Sequence, residues 1–169
     1  MFELKSLSKE AIPAALDKAN CYRFLNEPLE AESICLDILK VAPDNQETLI
    51  MLLLAYTDKF KEELYPAFRQ ASDLLEQVDS DYHKAYYRGI IYERRAKFHM
   101  NQGGPSCGEL VHDWCTKAMA EYERAMEAYP SSHQDEILRW NTCARMLNEN
   151  PDLKPAAENR EVELIDAYE

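Results

Sequence analysis

The longest unbroken apolar run in the chain is residues 49–56, which read LIMLLLAY. A transmembrane helix needs about 20 such residues, so the run is too short to cross a bilayer. Asp44 and Glu47 precede it with the spacing of a capping box, which predicts a helix that begins near Asn45. A helix that is apolar on nearly every side must be covered on nearly every side. We therefore expect helices from both ends of the chain to pack on this one.

The positions of Pro, Gly, Ser and Asp divide the rest of the chain into six further predicted helices. Their expected bounds are residues 8–25, 28–41, 61–78, 82–101, 106–129 and 132–148. Helices two and four of the whole series carry an inward apolar stripe at helical spacing. The stripe residues are Ala31, Ile34, Cys35, Ile38 and Ala42 in helix two, and Ala67, Ala71, Leu74, Leu75 and Val78 in helix four.

Three tyrosines recur at the period of stacked helical hairpins. Tyr22 lies 34 residues before Tyr56, and Tyr92 lies 36 residues after it. In every case a residue three positions earlier completes the motif, giving Ala19-x2-Tyr22, Leu53-x2-Tyr56 and Gly89-x2-Tyr92. The second helices of the first and third hairpins share a motif whose residues are separated by four, three and five positions. Its small residue allows two helices to approach closely, and its Pro prevents the helix from continuing. These sets are Ala31, Cys35, Ile38 and Pro43, and Ala118, Tyr122, Ala125 and Pro130.

This pattern resembles the tetratricopeptide repeat, whose signature includes Gly-x2-Tyr, then Ala-x3-Phe, then Pro. The resemblance covers about residues 12–130. It implies an all-α, right-handed superhelix of three antiparallel hairpins, at about residues 9–43, 45–79 and 81–130, with a capping helix at 132–148 and an acidic tail at 150–169. The second repeat departs from the signature, because Ala67 is two residues late and Asp79 replaces Pro. A generic helical bundle with the same spacing remains the alternative.

The third hairpin contains an insertion. From Tyr22 to Ala31 the chain advances 9 residues, whereas from Tyr92 to Ala118 it advances 26. We expect the additional residues to lengthen both helices of that hairpin.

Composition narrows the class of protein and its partners. Only four of the 169 residues are Gly, which suits an all-helical chain, and the formal net charge of −12 argues against binding nucleic acid or an anionic membrane surface. Residues 1–10 lack the apolar segment of a secretory signal. With five scattered Cys, these features predict a cytoplasmic protein with reduced thiols.

Candidate chemistry is sparse. His99, Cys107, His112 and Cys115 form a loose donor set without the closely spaced cysteine pair of a structural zinc site. No Ser or Cys nucleophile has a recognisable base beside it. We therefore predict no catalytic residue, no metal and no cofactor, and we expect the protein not to be an enzyme.

The resemblance implies a partner-binding groove lined by the first helix of every hairpin. Counting from the three tyrosines, the groove residues are expected to be Asn20, Arg23, Phe24, Leu54, Thr57, Asp58, Tyr86, Ile90, Glu93 and Lys97, with Arg139 and Arg145 at the far end. Some family members clamp a peptide carboxylate with Lys and Asn; here Asn20 fits, but Leu16 and Ile50 occupy the Lys steps.

The sequence thus favours a scaffold or adaptor that binds a protein or peptide. A repeat-type chaperone for a secreted substrate is the alternative, and a metal-binding or enzymatic protein is the third. A homodimer also stays open, as does a tail that folds back into the groove or fills that of a neighbouring molecule.

Overall fold

The structure, a computed structural model, describes residues 2–129 and 134–156, and the helices in these ranges confirm an all-α fold with no strand among them. A short 3-10 helix, Lys9–Ala11, leads into the first α-helix. The α-helices are α1 (Ile12–Phe24), α2 (Pro28–Val41), α3 (Gln46–Asp58), α4 (Phe60–Leu75), α5 (Asp81–Gln102), α6 (Cys107–Ala128) and α7 (Asp135–Glu149). None of them is long and apolar enough to cross a membrane.

Each helix packs on the next one in the chain, and α3 also contacts α1 and α5. The central position of α3 follows from its composition, since seven of its thirteen residues are buried. They include Leu49, Leu52 and Leu53, which join a core that extends from Ala19 in α1 to Ile91 in α5. The prediction that helices from both sides cover the apolar run is confirmed.

The predicted N-cap of α3 is wrong by one residue. The N-cap of α3 is Asn45, not Asp44: its side chain accepts a hydrogen bond of 2.9 Å from the Thr48 backbone N–H. Ser106 is the N-cap of α6, in agreement with the predicted start at residue 106, but its side chain makes no capping hydrogen bond. The serine cap of the long helix α5 forms, because the hydroxyl of Ser80 accepts from the backbone N–H of His83.

Helix α4 is irregular at its start. Glu63 has φ −144° and ψ 59°, outside the helical region, so the regular helix begins after it. Pro66 consequently falls in the first regular turn, where its missing N–H leaves no hydrogen bond unmade.

The third hairpin is long, as the insertion predicts: α5 and α6 both have 22 residues, against 13 in α1. Their contact requires a glycine, because a Cβ added to Gly89 would lie 2.5 Å from the Tyr122 ring. Near the tip, Leu153 packs on the cluster formed by Ala96, Val111 and Cys115. The chain after α7 therefore covers the start of α6.

Several predictions fall outside the described residues. These are the stop at Pro130, the start of the last helix at residue 132 and the proposed role of the tail beyond Ala156.

Candidate functional site

The first helices of the three hairpins are joined by one group of polar side chains, which we call the Asp58 cluster: Arg23 of α1, Thr57 and Asp58 of α3, and Arg94 of α5. Arg23 Nε lies 2.7 Å from one carboxylate oxygen of Asp58, and Arg94 binds the other oxygen. Two cations from flanking helices thus share one carboxylate of the central helix. Because Arg23 and Asp58 are only 12% and 17% exposed at their side chains, solvent screens their attraction less than that of a surface pair.

Thr57 completes the Asp58 cluster. Its hydroxyl donates to the Leu54 carbonyl at 2.7 Å and accepts from Arg94 at 2.6 Å. This arrangement fixes the direction in which Arg94 reaches α3. The cluster therefore braces α1, α3 and α5 side by side, and we call the surface around it the α1/α3/α5 face.

A second group, the Glu93 cluster, lies next to it and links α5 to α6 and α7. The Glu93 carboxylate is fully buried and accepts hydrogen bonds from Lys97, from the Tyr122 hydroxyl at 2.6 Å and from Arg139 at 3.2 Å. Burial by itself would raise the pKa of Glu93, but the hydrogen bonds of Lys97 and Tyr122 and the charges of Lys97 and Arg139 lower it below its ordinary value. Glu93 is therefore a paired, ionised structural group.

Burial divides the twelve predicted groove residues. Phe24, at 81% exposed, and Arg145 are exposed. The residues of intermediate burial are Asn20, Arg23, Leu54, Asp58, Tyr86, Lys97 and Arg139.

Three of the predicted groove residues are buried and therefore not accessible to a partner. Thr57 is buried by its place in the Asp58 cluster, and Glu93 by its own cluster. Ile90 is 3% exposed because it packs with Ala118 and Tyr122 of α6. These positions face neighbouring helices rather than a groove, and we correct the prediction accordingly.

The sequence reasoning missed Arg94. It named Glu93 at that step of α5, yet Arg94 is the residue that reaches Asp58. Successive helical residues point about 100° apart, so an error of one position changes the face of the helix. The available signal was charge: in an acidic chain, a basic side chain at the level of Asp58 is its natural counter-ion.

The loose His and Cys set does not converge on one point. The Cys107 thiol donates to the His99 carbonyl at 3.2 Å, while Cys115 is buried and hydrogen-bonded to Cys143. In the described part of the chain, no group of three or more His, Cys, Asp or Glu side chains is placed to hold a metal ion.

An apolar surface adjoins Phe24 at the turn between α1 and α2. Leu25 and Leu29 are mostly exposed there. A cleft of about 520 Å³ lies between this turn and the start of α4, with Leu29, Lys59 and Glu63 among its lining residues. The surface around this turn is therefore apolar with charged margins.

No family model matches this chain, and neither any curated protein nor any solved structure does.

Proposed function

We propose that this chain is a helical-repeat protein of the tetratricopeptide type that binds a protein or peptide segment on its α1/α3/α5 face. The observation that carries the proposal is the Asp58 cluster, in which the first helices of three successive hairpins are aligned through Arg23, Asp58 and Arg94. Such an alignment is what a groove built from first helices requires, because a partner segment must meet equivalent faces in sequence.

The chemistry of the accessible residues supports a polypeptide partner. Phe24 is an exposed aromatic, and buried aromatic side chains dominate the binding energy of many protein interfaces. Lys97 on α5 and Arg139 on α7 retain exposed surface, although both are paired with Glu93. Apolar anchors near α1 and cationic groups near α5 and α7 suit a segment with an apolar and an acidic part.

We further propose that the protein acts in the cytoplasm as a scaffold or adaptor without catalysis of its own. The paired state of the buried polar clusters favours this view, because Glu93 and Asp58 are neutralised by cations rather than poised as a general base.

Site-specific photocrosslinking tests the proposal. A photoreactive phenylalanine analogue would replace Phe24 in one variant and Leu36, half exposed on α2, in the control. After irradiation in native lysate, mass spectrometry should identify a protein that joins position 24 and not position 36, and the Asn20→Ala change should reduce the yield. Equal adducts from both positions, or none from position 24, would refute it.

The identity of the captured protein separates the two leading functions. A folded partner recovered in a constant molar ratio to this protein indicates an adaptor. An unfolded export substrate indicates the chaperone.

A further inference from the structure

A second surface, formed by α4, α5 and α6, contains an arginine with no carboxylate partner. Among the arginines of residues 2–129 and 134–156, six form ion pairs with Asp or Glu; these are Arg23, Arg69, Arg88, Arg94, Arg124 and Arg139. Arg95 makes neither an ion pair nor a hydrogen bond, although the chain carries 31 acidic residues against 19 Lys and Arg. Arg145 of α7 is the other described arginine outside an ion pair, but it is exposed, whereas Arg95 is partly buried without a counter-ion.

Aromatic rings hold the Arg95 guanidinium in place. Its central carbon lies 4.3 Å from the centroid of Phe68 and 4.0 Å from that of Trp114. The two rings meet at 69°, so the guanidinium occupies the corner between them. Cation–π attraction to both rings fixes the cation without neutralising it. We call Phe68, Arg95 and Trp114 the Arg95 corner.

The Arg95 corner leaves hydrogen-bonding groups unused. Arg95 Nε is buried without a partner, and so is Nε2 of His99 one helical turn along α5. The terminal nitrogens of Arg95 are not among the buried atoms and have no partner either, so they reach solvent. If the side chain at position 95 only filled space, an apolar residue would stabilise the fold more than arginine does. Burying part of a charged group without hydrogen bonds is unfavourable.

Lys117 adds a second cation at the rim, 4.6 Å from the Trp114 centroid. It is already paired with Asp113 at 2.8 Å, so one positive charge, that of Arg95, remains uncompensated. The phenols of Tyr65 and Tyr92 and the imidazole of His99 also lie within electrostatic reach of Arg95, and none of these groups is a carboxylate. The corner therefore presents one fixed cation with an open edge.

We propose that the Arg95 corner binds a carboxylate from an acidic segment of a partner protein. A guanidinium edge and a carboxylate are both planar and form two parallel hydrogen bonds, which an ammonium cannot do. A carboxylate suits the site better than a phosphate, because the corner offers one uncompensated cation, and the second negative charge of a phosphate would have no counter-ion there. This surface is separate from the α1/α3/α5 face, so the two proposals fail independently.

Titration of purified protein with defined peptides tests the site. The probe is an acetylated and amidated peptide of alternating Gly and Glu, and the matched control peptide has Gln in place of Glu. Trp114 fluorescence, followed in a Trp140→Phe background, reports binding through its contact with Arg95. We expect a saturable change with the Glu peptide and at least tenfold weaker binding of the Gln peptide.

Variants identify the residue responsible. Arg95→Met keeps an unbranched stem against the rings and should weaken binding of the Glu peptide tenfold or more. Arg69→Met, a change in an exposed arginine of α4, should leave it unaltered. If Arg95→Met does not fold, Arg95→Lys decides, since it keeps the charge but loses the paired hydrogen bonds and should bind at least threefold more weakly.

Three results with the peptides would overturn the proposal. These are absence of binding by the Glu peptide, wild-type binding by the folded Arg95 variant, and equal binding of the Gln peptide. Tighter binding of inorganic phosphate than of the Glu peptide would also overturn it, because the site would then select a different anion.

Discussion

The Tyr122 hydroxyl of α6 donates a 2.6 Å hydrogen bond to the Glu93 carboxylate of α5, and neither side chain is exposed. The tyrosine ring in turn lies against Gly89, one turn before Glu93, where no larger residue fits without movement. Packing and polar pairing therefore act at the same helix contact. Burial and the nearby Glu93 charge together raise the pKa of Tyr122, so its hydroxyl remains the donor.

Tyr122→Phe should lower the free energy of unfolding by about 1–3 kcal/mol, because the buried Glu93 carboxylate loses a hydrogen bond and nothing replaces it. Chemical denaturation measures the change. Tyr129→Phe, at an exposed position beyond the end of the same helix, is the control and should have little effect. Equal stability of the two variants would mean that the hydrogen bond does not form.

The contribution of Glu93 should depend on pH. Its pKa is lower in the folded protein than its ordinary value of 4.5, so its ionised form stabilises the fold. The stabilisation is complete above about pH 4.5 and is lost as pH falls through the lower, folded pKa. Denaturation of the wild type and of Glu93→Gln from pH 7 downward should show the difference in stability shrinking only in the acidic range. A difference that is constant with pH would contradict the ionised assignment.

Asp58→Asn should destabilise the protein by about 1.5–3 kcal/mol, because it removes the shared counter-ion of Arg23 and Arg94. The matched control is Asp73→Asn, which breaks a 3.8 Å pair with Arg69 at 74% exposure. That pair should contribute less than about 0.5 kcal/mol. Denaturant unfolding compares the two variants. Similar losses of stability would show that the Asp58 cluster contributes no more to the free energy of unfolding than an exposed ion pair.

Ala118→Leu should cost about 1–3 kcal/mol, because Ala118 is fully buried against Ile90 and Cys143 and a larger side chain overpacks that contact. Ala120→Leu, two residues later on the exposed side of α6, should be nearly neutral. Thermal melts of both variants test this. A stable Ala118→Leu variant would indicate that α6 is rotated relative to its neighbours.

The thiols should react in a fixed order. Cys21 is exposed and Cys107 half-buried, whereas Cys35, Cys115 and Cys143 are buried. Burial also raises the pKa of Cys35 to about 12, which suppresses its reactive thiolate. A thiol reagent should label Cys21 first and the buried three only on unfolding, with all of the cysteines free under denaturing, non-reducing conditions. Fast labelling of Cys35 in the native state would contradict this packing.

The sequence by itself determined the helices and their buried stripes. Pro28 marks the start of α2, and Ala31, Cys35 and Ile38 are all fully buried as their spacing predicts. Ala67 and Ala71 are equally buried in α4. These features follow from local rules, since Pro is disfavoured in helix interiors and the spacing of apolar residues determines which face of a helix is buried. The repeat pattern is of the same kind, and the family it resembles stays a prediction.

Only the tertiary structure decided what each polar side chain of α5 contacts. Glu93, Arg94 and Arg95 are consecutive, yet Glu93 is buried against α6, Arg94 binds Asp58 of α3, and Arg95 lies on Trp114. Consecutive residues diverge by about 100° around the axis, so their partners depend on how the helix is rotated against its neighbours. That rotation is set by side chains far apart in sequence, and no local pattern records it.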